Sequence, residues 1–132
     1  MTMRSMLRNT ALAMLAMAAA AVAHAQTPTD YTQAKQRADA DEASLPAAAS
    51  QSMLDAQSRV LGDAIAECAT PNADTAPFVI VAELDAGGAV RRTWRDGATP
   101  LAICVQKQIN TNVLAAPPRT PFYTSFELSF TP

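Results

Sequence analysis

Beyond about residue 50 the hydrophobic positions of this chain repeat with two alternating periods, and each change of period marks an element. From Ser50 to Cys68, Leu54, Leu61, Ile65 and Cys68 recur at helical spacing, with Met53, Val60 and Ala64 beside them. This predicts a helix that Ser50 or Ser52 can cap. Asp55, Arg59, Asp63 and Glu67 step by four along another face, where neighbouring opposite charges form weak surface pairs. Thr70-Pro71-Asn72 stops the helix, and a loop follows to Pro77. Phe78-Val79-Ile80-Val81-Ala82-Glu83-Leu84 is almost continuously apolar and reads as a central strand. Asp85-Ala86-Gly87-Gly88 supplies a hairpin turn, and Ala89 to Arg95 returns as a more polar strand suited to a sheet edge.

Thr99-Pro100 is a helix start, with Thr as N-cap and Pro at the first helical position. The predicted helix extends to Leu114, with Leu101, Cys104, Val105, Ile109 and Val113 as its buried stripe. Ala115-Ala116-Pro117-Pro118 breaks it. From Phe122 to Phe130 the alternation is strict. Phe122, Thr124, Phe126, Leu128 and Phe130 face one way, and Tyr123, Ser125, Glu127 and Ser129 face the other. That is the pattern of a strand with one buried and one wet face.

The element order is therefore α-β-β-α-β. The hairpin makes the first two strands antiparallel. A right-handed crossover through the second helix lays the third strand beside the first. The expected fold is α+β: a three-stranded antiparallel sheet of order 2-1-3, with both helices on the face that carries the phenylalanines. Residues 50–132 form this domain. Residues 26–49 are polar, Ala-rich and acidic, with no convincing apolar period. They read as a flexible leader with transient helix around Tyr31 to Ala43.

Residues 1–25 have the form of a secretory signal peptide. Arg4 and Arg8 make a positive start, an apolar run covers Ala11 to Ala23, and Ala23-His24-Ala25 is a small-x-small cleavage site. The run is too short for a membrane span. Export to the periplasm or the exterior is the expectation, with no stable membrane anchor after cleavage. The alternative is an uncleaved signal acting as an anchor. Cleavage would leave roughly 107 residues, enough for one modest core. It would move the net charge from −2 to about −4, since all acids lie beyond the cut. Such a balance argues against nucleic-acid binding, which needs a basic surface. His24, the sole histidine, would leave with the signal, so neither a His-based catalytic pair nor a His metal site is expected.

Cys68 and Cys104 are the only cysteines. An even pair in an exported chain is most simply one disulfide. Each lies on the buried stripe of its helix, so a bridge between two helices on one sheet face satisfies both patterns. Closing that loop contributes roughly 4 kcal/mol in the chain-entropy picture.

The strand Phe78–Leu84, the following Gly87-Gly88-Ala89-Val90, the helix with Cys104, the Ala116-Pro117-Pro118 break and the terminal Phe126-Glu127-Leu128-Ser129-Phe130 together resemble the C-terminal domain of the TonB/TolA energy-transducer families. The resemblance covers roughly residues 50–132. It implies a periplasmic protein–protein module whose last strand can accept a partner strand at its edge. Here that edge is Phe122, Tyr123, Thr124, Ser125, Phe126, Glu127, Leu128, Ser129 and Phe130, with a cell-envelope protein as the expected partner. With the signal cleaved as expected, the chain would depart from a transducer in losing its anchor and in having a leader of about 24 residues in place of a long stalk, so force transmission is not implied.

Two other constellations carry less. Glu83 and Asp85 share one strand face and could in principle do acid–base work, but two acids without a third group are a weak site. Pairing with Arg91 or Arg95 across the hairpin is the plainer role. Arg92 can stack on Trp94. No phosphate loop, close-spaced thiol pair or glycine-rich nucleotide turn occurs. The expectation is a non-enzymatic interaction module with no cofactor. A small secreted inhibitor or immunity-like protein fits the same size, bridge and export.

Overall fold

The computed structural model describes residues 26–131. The signal-peptide reading lies outside these residues. Six elements follow one another: α1 (Tyr31–Ala43), α2 (Ala47–Cys68), β1 (Phe78–Leu84), β2 (Val90–Asp96), α3 (Pro100–Ile109) and β3 (Phe122–Leu128). The strands form one antiparallel sheet of order β2-β1-β3, as the hairpin and crossover argument requires. β1, the most apolar strand, is central.

Alternation along the strands divides the sheet into two faces. Phe78, Ile80, Ala82 and Leu84 of β1 join Phe122 and Phe126 of β3 on the first face. They pack against Met53, Val60, Ala64 and Cys68 of α2 and Leu101, Ala102, Val105 and Ile109 of α3. This is the main core. Cys68 and Cys104 are joined by a disulfide with their Cα atoms 5.8 Å apart, tying the end of α2 to the middle of α3.

The second face is not wet. Val81 of β1 and Tyr123 of β3 are buried there beneath Ala34 and Ala38 of α1, with Tyr31 and Trp94 at the margin. The segment 26–49, expected to be a flexible leader, thus contains an ordered helix. Asp30 caps it by accepting a hydrogen bond from the Gln33 N–H, and the Gln33 side chain reaches back to Thr29. Small Ala34 and Ala38, four residues apart, let the helix backbone approach the sheet closely. A third layer therefore covers the sheet, in addition to the two helices expected on the first face.

Element boundaries shift for local reasons. α2 begins at Ala47, with Pro46 as its flanking residue and no side-chain cap. Ser52 instead donates to the Ala48 carbonyl. The buried stripe runs through Met53 and Val60, leaving Leu54 53% exposed. α3 stops at Ile109, because Asn110 to Asn112 turn the chain so that Ala89 and Val113 form an antiparallel bridge. Val113 is accordingly exposed and Leu114 is buried. β3 ends at Leu128, two residues before Phe130, whose ring lies 6.4 Å from that of Phe78.

Candidate functional site

The predicted docking edge is the outer side of β3. Its residues pair with β1 from Phe78↔Leu128 to Leu84↔Phe122 without a break. In an antiparallel strand every second residue turns its N–H and C=O away from the neighbour. On β3 the outward row contains Tyr123 and Ser125, and Glu127 follows by alternation.

Side chains of α1 and α2 already occupy much of this row. The Tyr123 N–H donates to Asp41 Oδ2 at 2.9 Å. The Ser125 N–H donates to Glu42 Oε1 at 2.6 Å, and the Ser125 carbonyl accepts from Gln57 Nε2 at 3.2 Å. Glu42 also accepts from the hydroxyls of Thr124 and Ser125. Arg119 fixes Asp41 from the other side, at 2.9 Å from Oδ1, and also donates to the Ser44 hydroxyl. The edge expected to accept a partner strand is therefore capped over Tyr123 and Ser125. Among the described residues, no side chain caps the outward main-chain groups of Glu127. Its carboxylate pairs with Lys35 of α1 at 2.8 Å. Beyond it, Glu127, Leu128 and Ser129 border a depression of about 420 Å³ at the end of the sheet, with Pro77, Phe78, Val79 and Asp96 opposite.

The other edge residues have interior duties. Phe122, Thr124 and Phe126 are buried on the main-core side and Tyr123 on the α1 side. Ser129 and Phe130 lie past the strand end and are exposed. The face beneath α1 raises the pKa of two tyrosines. Burial pushes the Tyr123 hydroxyl up, assisted by the nearby Glu83 carboxylate. Burial likewise raises Tyr31, with Asp96 adding to the effect. At Lys35 burial favours loss of the proton. Hydrogen bonds that the ammonium donates to Asp39 and Glu127 outweigh it and hold Lys35 above the ordinary lysine range.

Glu83 and Asp85 take separate roles. Glu83 lies directly opposite Arg92, with Oε2 2.9 Å from the guanidinium Nε but without hydrogen-bond alignment. Arg92 in turn lies over the Trp94 ring at 5.8 Å. The Asp85 carboxylate accepts from the N–H groups of Gly87 and Ala89 and so builds the hairpin turn, with Arg91 3.9 Å away. Arg95 turns to the opposite face and donates to Gln106 of α3. Pairing across the hairpin thus involves Arg91 and Arg92 rather than Arg95. Among the described residues no cluster of three or more metal-ligating side chains occurs.

The residues missed by sequence reasoning are Asp41, Glu42 and Gln57. A usable signal existed. Tyr31, Ala34 and Ala38 lie at helical spacing behind an Asp N-cap, and Tyr123 and Trp94 place aromatic rings on the supposedly wet face.

No family model matches the chain, and no curated protein or solved structure does either.

Proposed function

We propose that this chain is a non-enzymatic, exported protein–protein interaction module that docks an extended segment of a cell-envelope partner along the outer edge of β3. A TonB/TolA-like role in recognition is in keeping with a three-stranded antiparallel sheet that has β3 at one edge. The supporting observation is at Ser125. Its N–H and carbonyl both point out of the sheet and are met by Glu42 and Gln57. These are the two bonds that a residue of an added antiparallel strand would make. The disulfide suits a compartment outside the cytoplasm.

The test uses a photoreactive amino acid introduced at Glu127, with Lys107 on α3 as the control position, in cells that export the protein. Cross-linking to an envelope protein from position 127 and not from 107 is the expected result. Ser125→Pro removes one outward donor while leaving the β1 pairing intact, and should reduce the yield. A yield unaffected by the proline would refute strand docking. Capture of a secreted hydrolase or toxin would assign the inhibitor role instead.

A further inference from the structure

The polar groups that seal β3 come mainly from one element, and that element lies outside the main core. α1 contributes Asp41 and Glu42 to the β3 donors. It contributes Lys35 to Glu127 and sets the Arg37 guanidinium 5.3 Å from the Tyr123 ring centre. Its fully buried residues are only Ala34 and Ala38. Those alanines belong to a small cluster with Val81 and Tyr123, separate from the core formed by α2, α3 and the opposite sheet face. The disulfide joins α2 to α3 and does not involve α1. Leu45, two residues past the end of α1, packs against the main core. It pins the chain at the point where α1 would swing.

We propose that α1 is a removable cover. Docked, it supplies side-chain carboxylates in place of the carbonyls of a fourth strand and withholds the β3 edge. Undocked about the Ser44-Leu45-Pro46 hinge, it frees the Tyr123 and Ser125 donors for an extended polypeptide, while the disulfide-tied core remains folded. The inference rests on the docking reading only for what the freed edge binds.

Three features favour detachment over a fixed structural role. The ion pairs that α1 makes to the rest of the chain, Lys35–Glu127 and Asp41–Arg119, each have one exposed member and contribute little. The apolar part is small: the methyl groups of Ala34 and Ala38 set against Val81 and Tyr123, with the half-buried Tyr31 and Trp94 at the margin. The groups that accept from the β3 N–H donors are carboxylates of α1, which bond a main-chain N–H strongly but can be exchanged one for one with the carbonyls of an incoming strand. A partner segment would thus replace bonds and not merely break them.

Amide hydrogen exchange on the full chain tests the cover. In the unaltered protein, the amides of α1 and those of Tyr123 and Ser125 should exchange as one group, at least about tenfold faster than the amides of Ile80 and Ala82 in β1. The double substitution Asp41→Ala/Glu42→Ala should accelerate the first group further and leave β1 unchanged. Trp94, the only tryptophan, borders the seam and should shift its fluorescence towards that of a hydrated indole. Equal protection of both groups in the unaltered protein, or equal acceleration of both in the variant, would show that α1 is an integral layer and overturn the proposal. A synthetic peptide with the β3 sequence Phe122–Leu128 serves as the strand probe. It should bind the variant about tenfold more tightly than the unaltered chain, a difference within the range of linked opening equilibria. Selective release of α1 without any peptide binding would support the cover and sink the docking reading.

Discussion

Two glycines with opposite demands show how far single positions constrain this fold. Gly88 has φ +85°, and a Cβ there would lie 2.7 Å from the Ala115 carbonyl oxygen. Its own carbonyl accepts from the Leu114 N–H at 2.8 Å, closing the hairpin against the chain that leaves α3. Gly88→Ala therefore combines a left-handed backbone with a main-chain clash and should cost about 1–3 kcal/mol. Gly62 sits on the exposed side of α2, and a methyl group added there would meet nothing within 4 Å. Gly62→Ala should stabilise the protein by about 0.4–1 kcal/mol, because the unfolded chain loses freedom and the helix gains propensity. Urea denaturation of both variants checks the pair through their midpoints. A neutral Gly88→Ala would mean that the hairpin is not held against residues 114–115.

At the scale of elements, the strands were legible, whereas of α1 only the helical span Tyr31–Ala43 was legible and its packing was not, for one physical reason. β1 and β3 bury large side chains at regular spacing, so their periodicity survives in the sequence. α1 docks through two alanines, a half-buried tyrosine and charged side chains, a far weaker hydrophobic signal than that of the strands, so a packed helix resembled a solvated leader. The same limit moved the α2 stripe. Two adjacent helical stripes were both apolar, and only the positions of the sheet and α3 decide that Met53 and Val60 go inside while Leu54 stays out. The candidate edge was legible as a strand, but its caps were not, since Asp41 and Glu42 lie more than eighty residues before their partners. The α1 seam also makes a pH prediction. Tyr31, Tyr123 and Lys35 all have raised pKa values in the folded chain. Each therefore adds stability that is complete below its unfolded pKa and is lost as the pH rises through the folded value. Stability should fall above about pH 10, the ordinary tyrosine value. These three groups add no acid-side dependence. Because Tyr31 and Tyr123 are the only tyrosines, tyrosinate absorbance reads this seam alone. Its midpoint should lie above that of the urea-unfolded chain, and coincident midpoints would show that α1 does not cover the sheet.

For the molecule as a whole, the disulfide and the α1 seam lie on opposite faces of one small sheet, and that separation can be measured. The bridge spans a sequence separation of 36. The chain-entropy model then gives roughly 4 kcal/mol, against about 5–15 kcal/mol for an ordinary domain. A domain of this size shifts its melting temperature by about 4–8 °C per kcal/mol, so loss of the bridge should lower melting by on the order of 15–30 °C. The double variant Cys68→Ser/Cys104→Ser isolates that effect from any action of reductant. Below its own melting point, the variant should keep the raised tyrosinate midpoint of the parent. The bridge restrains the unfolded chain and the α2–α3 pair, whereas the tyrosines respond to burial under α1. Separated sites of this kind combine additively. Melting unchanged by the double substitution would mean that the helices and sheet hold together without the bridge. A tyrosinate midpoint that fell together with the melting temperature would mean that the two faces are one cooperative unit. In that case α1 could not leave the sheet without taking the core with it.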